Sequence, residues 1–224
     1  IFIYLRSNGY EEYKSILGFW GSIIYHFMFV VVTSKSKIIS CKERLVKKKV
    51  NYNLVFPSEL NNLWFEKNKE PMLDKARILY VGRVKVEKGI FSLLNILNEL
   101  KYNFSLSIAG KDEKNQIKNK DVNLLGFKKD VSSLIDAYDN HNITILPSYT
   151  EAHPKVIDES LARVRPIIIF EEINHVIQNK YGIFVCKRNS DSLLKVIKFI
   201  MENYKDIQNK IKKNKLPKKE NFIS

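Results

Sequence analysis

The amino-acid sequence predicts an α/β protein with one complete domain on a parallel sheet and part of another domain before it. Three observations carry that prediction. From Arg77 onward, short β-rich runs alternate with segments whose apolar residues recur at helical spacing, the pattern of successive βαβ units. Gly82, Gly110 and Gly126 each follow such a run, where a backbone close to a ligand is best tolerated. The 224 residues, 45% hydrophobic and 12% aromatic, supply apolar mass for one large domain or for one domain and a part.

In chain order, the first third is the least regular. A helix is read from about Glu12 to Phe29, a strand near KIISC, a basic helix at KERLVKKK, a strand near NLVF, and then PSELNNLWFEKNKEPMLDK, which has linker composition. A boundary near Glu70 makes residues 1–70 the incomplete end of a first domain and 71–224 a complete second one. Strands follow at RILYVG, FSLSIAG, VNLLG, ITILP, PIIIF and GIFV, apolar enough for burial on both faces. Helices are read at EKGIFSLLNILNEL, VSSLIDAYDN, PKVIDESLAR and SDSLLKVIKFIMEN. Asp130 can cap the second of these, Pro154 suits the first turn of the third, and Ser190 with Asp191 can open the fourth. The final KDIQNKIKKNKLPKKENFIS reads as a charged, exposed tail.

A net charge of +14 invites a nucleic-acid reading, yet only seven of the 38 basic residues are arginine, the better phosphate and base reader. The lysines scatter over surface-like positions, so no nucleic-acid partner is expected, and an anionic membrane surface fits the charge better. Two lone cysteines, Cys41 and Cys186, give neither a disulfide framework nor a metal spacing, which favours a reducing compartment. Leu17 to Val32 is nearly continuous apolar sequence, but about 16 residues fall short of a membrane span. It reads as a buried helix running into a strand, with shallow insertion into a membrane surface as the alternative. The chain starts with IFIYLRSNGY rather than methionine and shows no signal-peptide pattern, so a fragment or processed product is expected.

Two stretches can carry chemistry. YVGRVKVEKG fits neither the dinucleotide fingerprint nor a P-loop, but it puts Arg83 just after a strand and Lys88 at the start of a helix, each beside a glycine. Such a pair at one sheet edge either binds a diphosphate without a metal or is a solvated charge cluster. In YTEAHPKVIDESLARVRPIII, a helix starting near Pro154 directs the free N–H groups of Lys155 and Val156 outward, where they favour an anion. Glu151 precedes that helix and Glu159 lies within it. The two carboxylates either flank a ligand with hydroxyls on both sides of its phosphates, as in a sugar nucleotide, or are simply solvated. His153 reads as a loop histidine facing water or a sugar-site residue; His175 has no assigned role, and Asp158 is expected to point away from Glu159.

Together, YVGRVKVEKG, LSIAGKDE, VNLLGF, ITILPSYTEAHPKVIDESLARVRPIII and KYGIFV occur in an order and spacing that resemble the C-terminal domain of retaining GT-B glycosyltransferases of glycosyltransferase family 4, over about Arg77 to Glu202. The resemblance implies a GT-B fold of two Rossmann-like domains, the first truncated here, and a nucleotide-diphosphate sugar as donor with no metal. Gly82, Arg83 and Lys88 would then hold the diphosphate, with the two cations stabilising the leaving group. Glu151 would contact the transferred sugar and Glu159 the ribose, with Lys155 and Val156 at the helix terminus. The base would lie by the loop at Gly126 and Phe127. Retention is accounted for by front-face attack assisted by the leaving phosphate, so that positioning and charge stabilisation do most of the work. The acceptor would be a glycan or lipid-linked glycan, in bacterial surface polysaccharide or glycolipid synthesis, on a cytoplasmic enzyme drawn to the inner membrane face.

The sequence departs from that family where Val164 stands at a usual glycine, which questions local backbone geometry more than chemistry. With most of the first domain missing, the chain is expected to bind nucleotide and transfer sugar poorly by itself. A non-transferring GT-B enzyme such as a sugar-nucleotide epimerase, and a basic membrane- or nucleic-acid-binding protein, are the competing readings. Product analysis with donor alone separates the first competitor, and salt-sensitive binding that survives Glu159→Ala the second.

Overall fold

A computed structural model of the protein describes residues 2–5, 10, 13–14, 17–40, 52–54, 58–119, 121–151 and 153–220. The basic helix expected at KERLVKKK, and Cys41, lie outside the described residues. Two compact units divide the chain, Ile1–Pro57 with Phe222–Ser224, and Ser58–Asn221.

The first unit contains β1 (Phe2–Leu5), α1 (Phe19–Thr33), β2 (Lys37–Ser40) and β3 (Tyr52–Leu54), the strands forming a parallel sheet in the order β1-β2-β3. Ile38 and Ser40 are buried, as is Phe29 of α1. The helix expected to be buried is not: Phe19, Trp20, Phe27 and Val31 are each about 70% exposed, and only Gly21 and Phe29 are covered. Its apolar residues run all round the helix, more than the single buried stripe of a surface helix would use. Among the described residues, no helix is long and apolar enough to cross a membrane.

The second unit holds a six-stranded, wholly parallel sheet: β4 (Ala76–Val81), β5 (Phe104–Ala109), β6 (Val122–Leu124), β7 (Ile143–Leu146), β8 (Ile167–Phe170) and β9 (Ile183–Cys186), in the order β6-β5-β4-β7-β8-β9. Its helices are α2 (Ile90–Asn98), α3 (Val131–Asp139), α4 (Lys155–Ala162), α5 (Ser190–Glu202) and α6 (Tyr204–Ile211). β7 and β8 are buried at every residue, Thr144 of β7 accepting from the Ser160 hydroxyl at 2.8 Å, whereas the edge strands β6 and β9 are only partly covered, contrary to the expected burial of all strands on both faces. One core cluster joins Ile78, Tyr80, Leu106, Ile145 and Ile168 to Leu93 and Ile197; a smaller one joins Leu79 and Ala109 to Tyr138, Leu60 and Trp64.

Local signals act as their chemistry requires, with four corrections. The Asp130 carboxylate accepts from the Ser133 N–H at 2.7 Å and caps α3. At α5 the cap is Asn189, whose side chain accepts from the Ser192 N–H at 2.9 Å, one residue ahead of the expected Ser190. Pro154 is likewise the residue before α4 rather than inside its first turn. The linker-like stretch is anchored: Leu60 and Trp64 are buried, and a 3-10 turn spans Asn62–Phe65. The charged tail is anchored too, because Tyr204, Ile207 and Ile211 of α6 face the core and Lys219 N–H donates to the Leu60 carbonyl at 2.8 Å. Composition read the first as a linker and the second as an exposed tail because a few well-placed apolar residues were outweighed by the polar and charged ones between them.

Candidate functional site

Strand order places the site. The chain winds outward from β4 through β5 to β6, then returns to lay β7 on the other side of β4. Loops leaving β4 and β7 therefore diverge at the carboxyl edge and open a crevice there. Glycines let the backbones converge. A side chain at Gly110 would collide with the Gly82 carbonyl, and one at Gly89 with the Pro147 carbonyl. Gly89 is also in the left-handed region at φ +68°, which turns the 3-10 segment Val86–Lys88 into α2. Backbone bonds from Gly82 N to Ala109 O and from Gly110 N to Gly126 O, both 3.0 Å, extend the ladder beyond the strands.

Across the crevice Lys88 and Glu151 meet, 63 residues apart in sequence: Lys88 Nζ donates to Glu151 Oε1 at 2.6 Å. The Ser148 hydroxyl donates to the same oxygen at 2.7 Å, and the His175 ring donates from Nε2 to the Glu151 carbonyl at 2.9 Å. Beneath this loop the Arg188 guanidinium lies 4.1 Å from the Tyr149 ring centre and 4.3 Å from that of Phe170, while its Nε donates to Glu172 at 2.6 Å. That bond holds the Glu172 carboxyl below its usual range. The loop bearing Glu151 is thus braced from β7, from the 3-10 segment Glu171–Val176 and from the end of β9.

Glu159 has a different environment. It is the fifth residue of α4, only 8% exposed, and its Oε2 accepts from the Tyr138 hydroxyl at 2.8 Å. Burial pushes its carboxyl up; the phenol and the nearby Lys155 partly offset this, while Asp158 and Glu59 add to it. Asp158 points elsewhere, pairing with Lys180 at 2.6 Å. The His153 ring lies 3.9 Å from Asp158 with its side chain 8% exposed, so it does not face water as expected of a loop histidine.

Of the remaining residues, Gly82, Arg83 and Phe127 line one cavity of about 410 Å³ with Gly110 and Lys111, and Lys111 Nζ lies 5.7 Å from the Phe127 ring centre. Arg83 also borders a second recess, where Lys85, Lys111 and Lys114 outnumber Glu87 and Glu113, so that wall carries a net positive charge. No contact joins Arg83 to Lys88 among the described residues. Gly126 is left-handed at φ +68°, with open space where a side chain would be. At the amino end of α4 no side chain caps the helix, Val156 is half-buried, and Lys155 Nζ reaches Glu59 at 2.6 Å. Among the described residues, no group of three or more His, Cys, Asp or Glu side chains is placed to hold a metal ion.

Ser148, Tyr138 and Arg188 were not singled out from sequence. One signal was available for the last: arginine is scarce here and suits partly buried, stacked positions better than lysine. A crevice of this kind can meet an anion with Arg83, Lys88 and the free N–H groups of α4, and can offer two carboxylates to hydroxyls.

Comparison with known proteins bears on the fold that carries this site. A family model described as Glycosyl transferases group 1 matches residues 63–216. An uncharacterized glycosyltransferase of Haemophilus influenzae is 28% identical over 194 residues, covering 78% of this chain and 54% of its own. The capsular polysaccharide biosynthesis glycosyltransferase CapM of Staphylococcus aureus is 25% identical over 222 residues, covering 85% and 58%. The chain spans little more than half the length of these relatives. Among solved structures, Anabaena Alr3699/HepE in complex with UDP-glucose superimposes with a TM-score of 0.68 at 13% identity, covering 94% of this chain and 65% of that one. The fold is of the GT-B type, α/β and Rossmann-like.

Proposed function

The chain belongs to the group 1 glycosyl transferases, and from that membership we propose that it is the donor-binding part of a retaining family 4 enzyme. That enzyme moves a sugar from a nucleotide-diphosphate sugar to a glycan or lipid-linked acceptor, in the synthesis of a surface polysaccharide or glycolipid. The observation that carries this reading is the Lys88–Glu151 contact at the sheet's switch point, with Glu159 one helix turn behind the uncapped end of α4.

In this reading Lys88 and Arg83 receive the diphosphate and stabilise the charge that grows on it as the glycosidic bond breaks. Backbone at Gly82 and the N–H groups of Lys155 and Val156 complete the anion site, so the protein rather than a metal supplies the positive charge. Glu151, held by Ser148, Lys88 and His175, orients the transferred sugar; Glu159 receives the ribose. The base lies by Gly126 and Phe127. Retention follows if the acceptor attacks from the leaving-group side and gives its proton to the departing phosphate. The expected division into the end of an acceptor-side domain (residues 1–70) and a donor-side domain (71–224) is kept in kind, with Leu60 and Trp64, which pack in the second unit, counted on the donor side. The net charge of +14 suits a cytoplasmic enzyme at an anionic membrane face.

Calorimetric titration with UDP, GDP and ADP tests the donor site, starting with uridine because HepE was solved with UDP-glucose. One diphosphate should bind saturably and bind at least ~10-fold more weakly to Lys88→Ala and Glu159→Ala, the scale of one charged hydrogen bond. A folded chain that binds none of the three sinks the reading.

A further inference from the structure

Tyr138 is fully buried on α3, and its ring meets Trp64 edge-on with centres 5.7 Å apart. Phenylalanine would fill that place equally well, so packing does not account for the hydroxyl. A buried phenol needs a partner, and here it is Glu159, 21 residues on and in the next helix. No described residue donates to the other carboxylate oxygen, Oε1. A carboxylate with one oxygen tied can no longer swing about its terminal bond, and the direction of its second oxygen is set.

We infer that Tyr138 is a positioning residue for Glu159, fixing one carboxylate oxygen so that the other is presented to the vicinal hydroxyls of the nucleotide's ribose. This rests on the reading of Glu159 as the ribose contact. The groups facing Glu159 are Tyr138 from α3, Lys155 and Asp158 from its own helix, and Glu59 from the preceding segment. Of these, Tyr138 is the one that hydrogen-bonds it. Its phenol favours the ionised carboxylate that a ribose hydroxyl can donate to, against the burial that disfavours it.

The test is calorimetric titration of the unsubstituted chain, Tyr138→Phe and Glu159→Gln with UDP and with 2′,3′-dideoxy-UDP, near neutral pH and then stepwise into acid. Tyr138→Phe should weaken UDP binding by about tenfold and leave the dideoxy nucleotide nearly unchanged. Its acid limb for UDP should also move to higher pH, because Glu159 then protonates more readily; a packing defect would weaken both nucleotides alike and leave the limb in place. If Glu159→Gln distinguishes the two nucleotides but Tyr138→Phe does not, the positioning role is overturned and the ribose contact stands. If Glu159→Gln fails to distinguish them, the ribose contact falls, and the positioning role with it. Should Tyr138→Phe not fold, 3-fluorotyrosine at position 138 keeps the ring and makes a stronger donor. The acid limb should then move to lower pH, and an unmoved limb overturns the proposal.

Discussion

The two ends of α4 carry charge in opposite ways. Past its carboxyl end, Arg163 is 1% exposed and uses its whole guanidinium: two N–H groups grip Asp139 at 2.9 and 2.7 Å, and the others donate to the carbonyls of Trp64, Glu66 and Lys67. Arg165, equally buried, donates to the carbonyls of His141, Arg163 and Lys69. At the amino end, Lys88 meets Glu151 in one short contact with about a quarter of its side chain exposed, and Lys155 meets Glu59 with roughly half of each exposed. A guanidinium with every donor committed has nothing left for a ligand. An ammonium with a single partner at the crevice can exchange it for a phosphate, and this separates the charge that builds the fold from the charge that can recognise something.

The largest expected effect breaks that contrast directly. Arg163→Ala leaves the buried Asp139 with only the longer 3.8 Å pairing to Arg165, frees the buried Trp64 carbonyl and two part-buried ones, and should cost ~3–5 kcal/mol of stability in urea unfolding. Lys88→Ala should cost less, about 1–2 kcal/mol, because Glu151, though only 12% exposed, keeps the hydrogen bond from the Ser148 hydroxyl. Comparable losses from the two substitutions would mean that both ends of α4 are structural, and the distinction would fail.

Glu159 lies between the two ends and sharpens the comparison through pH. Its folded carboxyl is raised above the ordinary 4.5, so the native state holds the proton more tightly than the unfolded chain. Its contribution to stability is fully present below that ordinary value and is lost as pH rises through the raised folded one. Glutamine stays neutral throughout and keeps an oxygen for the Tyr138 hydroxyl. The stability of Glu159→Gln relative to the unsubstituted protein should therefore climb as pH rises from the ordinary carboxyl range toward neutrality. Paired thermal melts across that range check it; a difference that does not vary with pH would mean that Glu159 is as well solvated folded as unfolded.

These contrasts also mark what the sequence could disclose. Wherever a strand is buried on both faces, as β7 and β8 are, its largely apolar run was readable, and with it the parallel sheet. Lys88, Glu151 and Glu159 could be singled out because glycines and a helix start flank them. Their environments could not, since the partners are 63 residues away for Glu151 and 21 for Glu159. Long-range pairs follow from strand order, and composition carries no trace of strand order. The anchoring of Trp64 was hidden for the same reason: the Arg163 that binds its carbonyl lies 99 residues further along.

Val164 was legible in one respect and yields the smallest effect. It stands where the resembled family has glycine, and the structure puts it at φ +54°, in the left-handed turn that ends α4. Bonds from Val164 N to Leu161 O at 3.0 Å and from Arg165 N to Ser160 O at 2.9 Å close the helix in the way glycine usually allows. A β-branched residue there carries a backbone cost of ~1–2 kcal/mol. Its side chain is 5% exposed within the core, and burial of that size returns a similar amount. Alanine at 164 removes most of the burial and keeps the cost, whereas glycine removes both. Val164→Gly should therefore be more stable than Val164→Ala by about 1 kcal/mol, the reverse of the usual order within a helix. Nucleotide affinity should be the same in both, because the turn belongs to the locked end of α4. An alanine variant more stable than the glycine one would mean that packing, not backbone geometry, governs how that end is held.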